Sequence, residues 1–573
     1  MKTLQLTQLH TSQQTLALRL GNSHGMQVQA LATNMMRVTL KPNAGFKEPY
    51  TWAIAPDVDV PWQGRRREDI SGFTLPTTEI KQNTLGTTAL SCEIDMDSEQ
   101  LVWRMHGEEV ARDRPQGAYW YSERLGAIRH FLARDPAELY YGLGDKTGPL
   151  NLHGRRLRTL AQDSLGFDPQ HGDPLYKHWP FVLCRTKNKK WYGLYYDTLS
   201  ACTFDLGAEH DNYYGLFRSV EIDDGDLDYY FMVGDTAQEV VSQFVRLIGG
   251  THLPPHYTLG FAQTAMGLTD APKAQELLHA FIQRCETEQV PIHAFHFGSG
   301  YSSIGKGRYV FTWNRTKFPE PRKLTADFAR ANLPLVANLK PCLLDNHPAF
   351  QEIESRGGFI HDKNTGKPVI EPFWDGNGAH LDFTNPDTIK WWQGNLRQQI
   401  LDYGIATGWN DNNEYAILDD DAQCHGFGQA LPMHRARPLH SLMMTRASFE
   451  EQAKTQQQVF SVSRAGPPGI QRYAQTWSGD NSTSWDSLKW NIRTGLQMSL
   501  SGMFNVGHDV GGFSGPVPSP ELFVRWVQAC ALNPRMVMNS WKEDGTINLP
   551  WMHESVKAEV LAALRLRERF LSY

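Results

Sequence analysis

The chain is poor in cysteine. Seven are spread over 573 residues, at 92, 184, 202, 285, 342, 424 and 530. The number is odd and none form a CxxC pair, which argues against a disulfide framework and against a zinc ribbon. No apolar run approaches the roughly 18 residues of a membrane span. The first residues, "MKTLQLTQLHTSQQ", contain no apolar signal core. These absences predict a reduced, cytoplasmic protein. Neither sign of charge dominates, with 56 Lys and Arg against 62 Asp and Glu. A formal net charge of −6 gives no electrostatic reason to expect nucleic acid or an anionic membrane as partner. No GxGxxG follows the first strand of the α/β region, and no GxxxxGK[ST] occurs, so dinucleotide and P-loop readings lose support.

The chain is rich in aromatic rings, with 17 Trp, 20 Tyr and 27 Phe. Flat rings suit sugar faces, although any single one serves core packing as readily. The length exceeds one core, so two to four domains are expected. Residues 1–250 read as β. Short alternating runs such as "QVQALATNMMRVTL" (27–40), "GLYYDTL" (193–199) and "LDYYFMVG" (227–234) are punctuated by turn residues, as in an antiparallel sandwich. "GGTHLPPHYTLG" (249–260) marks a stiff boundary.

From 251 to 573 the rhythm becomes strand–helix alternation. "YTLGFAQ" (257–263) reads as a buried strand. A helix follows over 270–285, capped by Asp270, with Leu277, Leu278, Phe281, Ile282 and Cys285 on one face. "PIHAFHFG", "PLVANLKP", "IATGWND", "VFSVSRAG", "AQTWSGD" and "GMFNVGHDVGGF" supply later strands, with helices at 324–333 and after Asn385-Pro386. Such alternation means a parallel sheet, and its repeat number favours a (β/α)8 barrel. A long Gly/Asp/Asn-rich insertion (342–384), carrying "EPFWDGNGAHLDF", lies where barrel enzymes build active sites.

"GWNDNNEYAI" (408–417) crowds polar groups after an apolar stretch. It reads either as a surface turn or as a strand end presenting the carboxylate of Asp411. Asp480 in "TWSGDN" and Asp509 in "GHDVGGF" also end strands, and a barrel would bring all three to one mouth with Arg464 and His508. For Asp509 a capping role, and for His508 a satisfied core histidine, are the competing readings. Paired carboxylates with an arginine and aromatics suit glycoside hydrolysis, in which one acid attacks and the other protonates the departing oxygen. A metal site would also use clustered acids, but no HxH or HExxH accompanies them.

These motifs resemble the retaining α-glycosidases of glycoside hydrolase family 31 over essentially the whole chain. "YYGLGDKTGPLNLHGRR" and "GDPLYKHWPF" carry the resemblance in the β domain, and "GWNDNNE", "QTWSGDN" and "GHDVGGF" in the barrel. The resemblance implies that Asp411, in the W-x-D-x-N-E pattern from Trp409 to Glu414, is the nucleophile. It implies that Asp480, in the W-x-G-D pattern from Trp477, is the acid/base. Arg464, His508 and Asp509 would bind sugar, and the β domain would contribute Asp163. Trp409 and Trp477, in the two aspartate motifs, and Tyr301 and Trp374, on the loops, complete the candidate sugar contacts. No metal and no cofactor are expected.

Two departures bear on the substrate. The family's α-glucosidases usually carry an Asp at the end of the second barrel strand, where this chain has Gly298, and near the eighth strand Asn539 stands where many members have His. The expected activity is release of a terminal α-linked hexose, α-glucosidase-like. An α-galactosidase, an α-transglycosylase and a sugar-binding protein without turnover are the alternatives. The β domains that family members usually carry after the barrel have no counterpart here, and the chain closes on a helix with a Val556, Val560, Leu564 stripe. Apolar surface that such domains would cover suggests a homo-oligomer.

Overall fold

The computed structural model describes residues 2–3, 6–12, 14–20, 24–41, 45–211, 213–455 and 458–572. The N-terminal part is a β-sandwich. An eight-stranded antiparallel sheet includes the adjacent strands His24–Ala32, Met35–Lys41, Leu227–Gly234, Trp191–Tyr196 and Phe181–Arg185. A six-stranded antiparallel sheet is centred on Ile128–Ala133 and Phe217–Ile222. Val28, Val38, Leu194 and Phe231 of the first sheet meet Ile128, Leu132, Phe204 and Val220 of the second in one buried core. A five-stranded meander (79–112) joins that core, where Trp103 stacks on Phe231 at 4.2 Å.

The helix Ala237–Leu247 leads out of the sandwich. Thr236 caps it by accepting from the Glu239 amide, and Phe244 stacks on Phe181 at 4.0 Å. Phe244, Trp179 and Phe181 belong to a core that runs on into the barrel. Each such ring, fully buried, contributes about 1.5–3 kcal/mol, so the two parts share a hydrophobic seam rather than a loose hinge.

The barrel strands are all parallel: first Phe261–Thr264, second Ile292–Phe297, third Leu335–Leu339, fourth Thr407–Asn410, fifth Val462–Ser463, seventh Asp509–Val510 and eighth Met536–Met538. The sixth position is held by residues 475–478 without a regular strand. The Ser463 amide donates to Gln475, the Gln475 amide to Ser461, and the Thr476 and Ser478 amides to Asn505 and Gly507. Short contacts of this kind close the ring. Outer helices follow most strands, among them Ala274–Thr287, Pro321–Arg330, Pro386–Gln399, Met433–Ala453, Trp485–Leu500, Pro520–Cys530 and Lys557–Phe570. Among the described residues no helix is long and apolar enough to cross a membrane.

Asn385 caps its helix by accepting from the Asp387 amide, with Pro386 in the first turn, as the sequence predicts. Three local expectations need correction. Asp270 ends a short helix, Met266–Asp270, and its carboxylate is taken by Arg308 at 3.1 Å; the next helix begins at Ala274. Leu277 is exposed, whereas Leu278, Phe281, Ile282 and Cys285 are buried. The run 257–263 opens with a 3-10 turn, His256–Leu259, before the strand. All seven cysteines are buried and unpaired. The insertion folds as a small antiparallel sheet, Cys342–Leu344, Gly376–His380 and Glu371–Phe373, so it is an ordered wall.

Candidate active site

The fourth barrel strand ends at Asn410, and Asp411 is the next residue. Its carboxylate is buried, with very unequal oxygens. Oδ2 accepts from Asn338 Nδ2 at 3.0 Å and Lys340 Nζ at 2.9 Å, both from the end of the third strand. Among the described residues Oδ1 has no hydrogen-bond partner, and it lies 3.4 Å from Arg464 Nη1. Burial alone would raise this acid's pKa. Lys340, Arg464 and the Asn338 hydrogen bond outweigh burial and hold it well below the usual carboxylate range.

Asp480 follows Gly479 in the sixth segment. Its Oδ2 accepts from Arg464 Nη1 at 3.0 Å, and its backbone amide donates to the Tyr176 hydroxyl at 3.2 Å. Burial drives its pKa well up. Arg464 opposes this, while Asp411, Asp163 and Asp509 add to it. Two buried aspartates therefore sit on one guanidinium with opposite preferences, one ionised and one protonated. Gly479 makes the approach feasible. Its φ is +81°, and a Cβ there would lie 1.9 Å from the Tyr176 ring.

Arg464, just beyond the fifth strand, is the hub. Nε and Nη2 grip Glu414 bidentately at 2.7 and 2.9 Å, and Nη2 also reaches Asp163 Oδ2 at 2.9 Å. A bidentate carboxylate fixes the guanidinium plane, leaving Nη1 aimed at the two aspartates. Asp163 comes from the sandwich, and its Oδ2 also accepts from Asn412 at 3.0 Å. Its loop is tied to the barrel. The Gly166 amide donates to the Asp480 carbonyl, and Lys177 Nζ donates to the carbonyls of Arg464 and Trp477 at 2.7 and 2.5 Å.

Asp509 is buried beside this group and accepts from Asn539 Nδ2 at 3.1 Å. Burial pushes its pKa up to about 7, against Arg535 and the Asn539 hydrogen bond. Trp409 and Trp477 cross edge to face at 5.6 Å in a small cluster with Val336, Phe460 and Val462. Trp374, on the insertion, is 37% exposed and has Lys340 Nζ over its ring at 5.5 Å, so it stands at the rim next to Asp411's cation.

Two candidate sugar contacts face elsewhere. Tyr301 is fully buried against Phe297 and Trp313, and its hydroxyl donates to the Asn338 carbonyl, so it supports the third strand. His508 pairs through Nδ1 with Ser478 at 2.7 Å, and its Nε2 abuts Gly495 of the helix Trp485–Leu500. Burial, aided by Lys177, lowers its pKa to about 4. It is a neutral packing histidine. The second-strand end carries Gly298 in place of a carboxylate, and the space beside it is taken: a Cβ there would meet Met266 Sδ and Thr269 Oγ1, both at 2.9 Å, so those side chains would have to shift. Lys340, Asn338 and Tyr176 were not singled out from the sequence. Lys340 had a usable signal, a cation directly after an apolar strand run.

The comparisons agree with this architecture. A model of the glycosyl hydrolases family 31 TIM-barrel domain matches residues 251–573, and the glycosyl hydrolase 31 N-terminal galactose mutarotase-like domain matches residues 25–205. Alpha-glucosidase 2 of Bacillus thermoamyloliquefaciens is 29% identical over 76% of this chain and 54% of its own length. An alpha-glucosidase of Saccharolobus solfataricus is 27% identical over 77% of this chain and 66% of its own. The chain thus spans between half and two thirds of the length of these curated relatives. A solved Flavobacterium johnsoniae family 31 dextranase, complexed with glucose, superposes with a TM-score of 0.87 at 20% identity, covering 100% of this chain and 69% of that one. With the barrel model matching more than half of its residues, the chain belongs to glycosyl hydrolase family 31.

Proposed function

We propose that the protein is a retaining, exo-acting α-glycosidase, with Asp411 as nucleophile and Asp480 as acid/base. The observation that carries this reading is the shared Arg464 Nη1. Its contacts of 3.0 Å to Asp480 Oδ2 and 3.4 Å to Asp411 Oδ1 gather both carboxylates on one guanidinium nitrogen, as an acid and a nucleophile that act on one anomeric centre require.

In the first step Asp411 Oδ1, the oxygen without a partner, attacks the anomeric carbon. The bond to the leaving oxygen breaks, and that oxygen takes the proton of Asp480. Lys340 and Asn338 hold Oδ2, so only Oδ1 is presented. In the second step Asp480, now ionised, takes a proton from water, the water oxygen bonds to the anomeric carbon, and the bond to Asp411 breaks. Two displacements return the α configuration. Arg464 stays charged throughout and supports whichever carboxylate is ionised.

The sugar is proposed to be a terminal α-linked hexose, α-glucosidase-like, in keeping with the relatives' names. A galacto-configured substrate has one observation in its favour: Met266 and Thr269 close the position at Gly298 where an Asp would grip a hydroxyl. Seven unpaired cysteines fit a reducing, cytoplasmic location. Self-association would use Ile492 and Leu496, exposed one helical turn apart.

The test is covalent trapping. A 5-fluoro-α-glycosyl fluoride should label one peptide, at Asp411, read by mass spectrometry. A label on Asp480, or none with any sugar on a panel of gluco, galacto, xylo and N-acetylgalactosamino donors, would overturn the assignment.

A further inference from the structure

Away from the carboxylates, Asp382, Cys424 and His440 each offer one ligand atom, and the three atoms lie within 4.8 Å of one another. They come from three different segments: the end of the insertion, the strand Ala422–Cys424, and the helix Met433–Ala453. All three side chains are fully buried. Among the described residues neither ring nitrogen of His440 has a hydrogen-bond partner, and Asp382 Oδ1 lies 3.9 Å from Nδ1. A buried imidazole left unpaired forfeits the hydrogen bonds it makes in water, a net cost to folding. An Asp–His pair would remove that cost by closing to hydrogen-bond distance. Instead the carboxylate is held by other donors: the Thr384 amide at 2.8 Å, the Thr384 hydroxyl at 2.5 Å and the His425 amide at 2.6 Å.

We propose that Asp382, Cys424 and His440 form a structural site for a zinc-type divalent ion. The donor set is what such an ion takes: a thiolate, a neutral imidazole and a carboxylate. The hydrogen bonds to Asp382 orient its carboxylate, as partners of metal ligands do. Binding replaces the Cys424 thiol proton, which leaves to solvent, by a metal–sulfur bond. A tetrahedral shell needs the donor atoms about 3.3–3.6 Å apart, a side-chain adjustment of roughly 1 Å.

The site would brace the nucleophile loop. Tyr415, four residues after Asp411, stacks on His440 at 4.6 Å and donates its hydroxyl to the carbonyl of Leu381, the neighbour of Asp382. An ion joining insertion, strand and helix would therefore hold both supports of Tyr415.

The experiment uses the full chain, stripped with a chelator and titrated with cobalt(II), then zinc(II). One equivalent should bind, with a thiolate-to-cobalt charge-transfer band that zinc bleaches and that Cys424→Ser lacks. Zinc X-ray absorption on the wild type, which needs no variant, should show one sulfur among nitrogen and oxygen neighbours. No binding at micromolar metal, a band that survives in folded Cys424→Ser, or a zinc shell without sulfur (an adventitious ion only) would overturn the proposal. Should Cys424→Ser fail to fold by circular dichroism, His440→Gln takes its place, with loss of the single equivalent as the expected result and its retention as the contrary one.

Discussion

Lys340 Nζ lies 2.9 Å from Oδ2 of Asp411, and both side chains are nearly sealed from solvent. A cation at this distance favours the ionised carboxylate, so removing it raises the acid's pKa. In Lys340→Met the acid limb of kcat/KM should move to higher pH by about 1–2 units. A pH–rate profile checks this, and an unmoved limb would reduce Lys340 to a packing residue.

Asp509 should act on the other limb. Its negative charge raises the pKa of Asp480. Neutralising it lets Asp480 lose its proton sooner, so the basic limb of Asp509→Asn should shift to lower pH. The position of the limb is the readout, because a lost sugar contact would change KM without moving it.

Asp480 should cost stability where it serves chemistry. Its folded pKa is raised, so the unfolded chain ionises first. The penalty is absent below about pH 3.8 and grows as pH rises toward the folded pKa. Asp480→Asn should therefore gain thermal stability over the wild type at pH 7 and much less at pH 4. Equal melting temperatures at both values would mean that burial does not hold the proton on.

Gly479 and Tyr176 make a steric prediction. Gly479→Ala must accept φ near +81° and a contact of 1.9 Å, and should cost about 2–4 kcal/mol in urea unfolding. Tyr176→Ala in the same chain should recover the clash but not the backbone strain, giving a coupling of about 1 kcal/mol or more.

Much of this was legible in the sequence. The Asn385-Pro386 start worked because a cap acts locally. The aspartates could be found because a polar residue at the end of an apolar run is anomalous wherever it occurs. Asp270 misled for a tertiary reason: it looks like a cap, but Arg308, 38 residues on, claims its carboxylate. Tyr301 and His508 are of types that bind sugars and pack cores alike, and only their partners, the Asn338 carbonyl and Ser478, separate the uses. The sixth segment has a strand's composition but too few ladder bonds, since it turns at Gly479 to pass Tyr176. Tyr176 and Asp163 reach the site across the domain boundary, a relation that no local pattern encodes.

The roles of the two aspartates are tested most directly by azide rescue. Asp411→Ala and Asp480→Ala would each be given an aryl α-glycoside with an acidic leaving group, and the glycosyl azide examined by NMR. Asp480→Ala should keep much of its first-step rate, because such a leaving group barely needs the 10²–10⁴-fold help of an acid. It should then yield the α-azide, by attack on the covalent intermediate. Asp411→Ala should be inactive without azide and yield only the inverted β-azide, by direct attack through the vacated space. Exchanged configurations would reverse the two roles, and inverted product from both variants would contradict a covalent intermediate altogether.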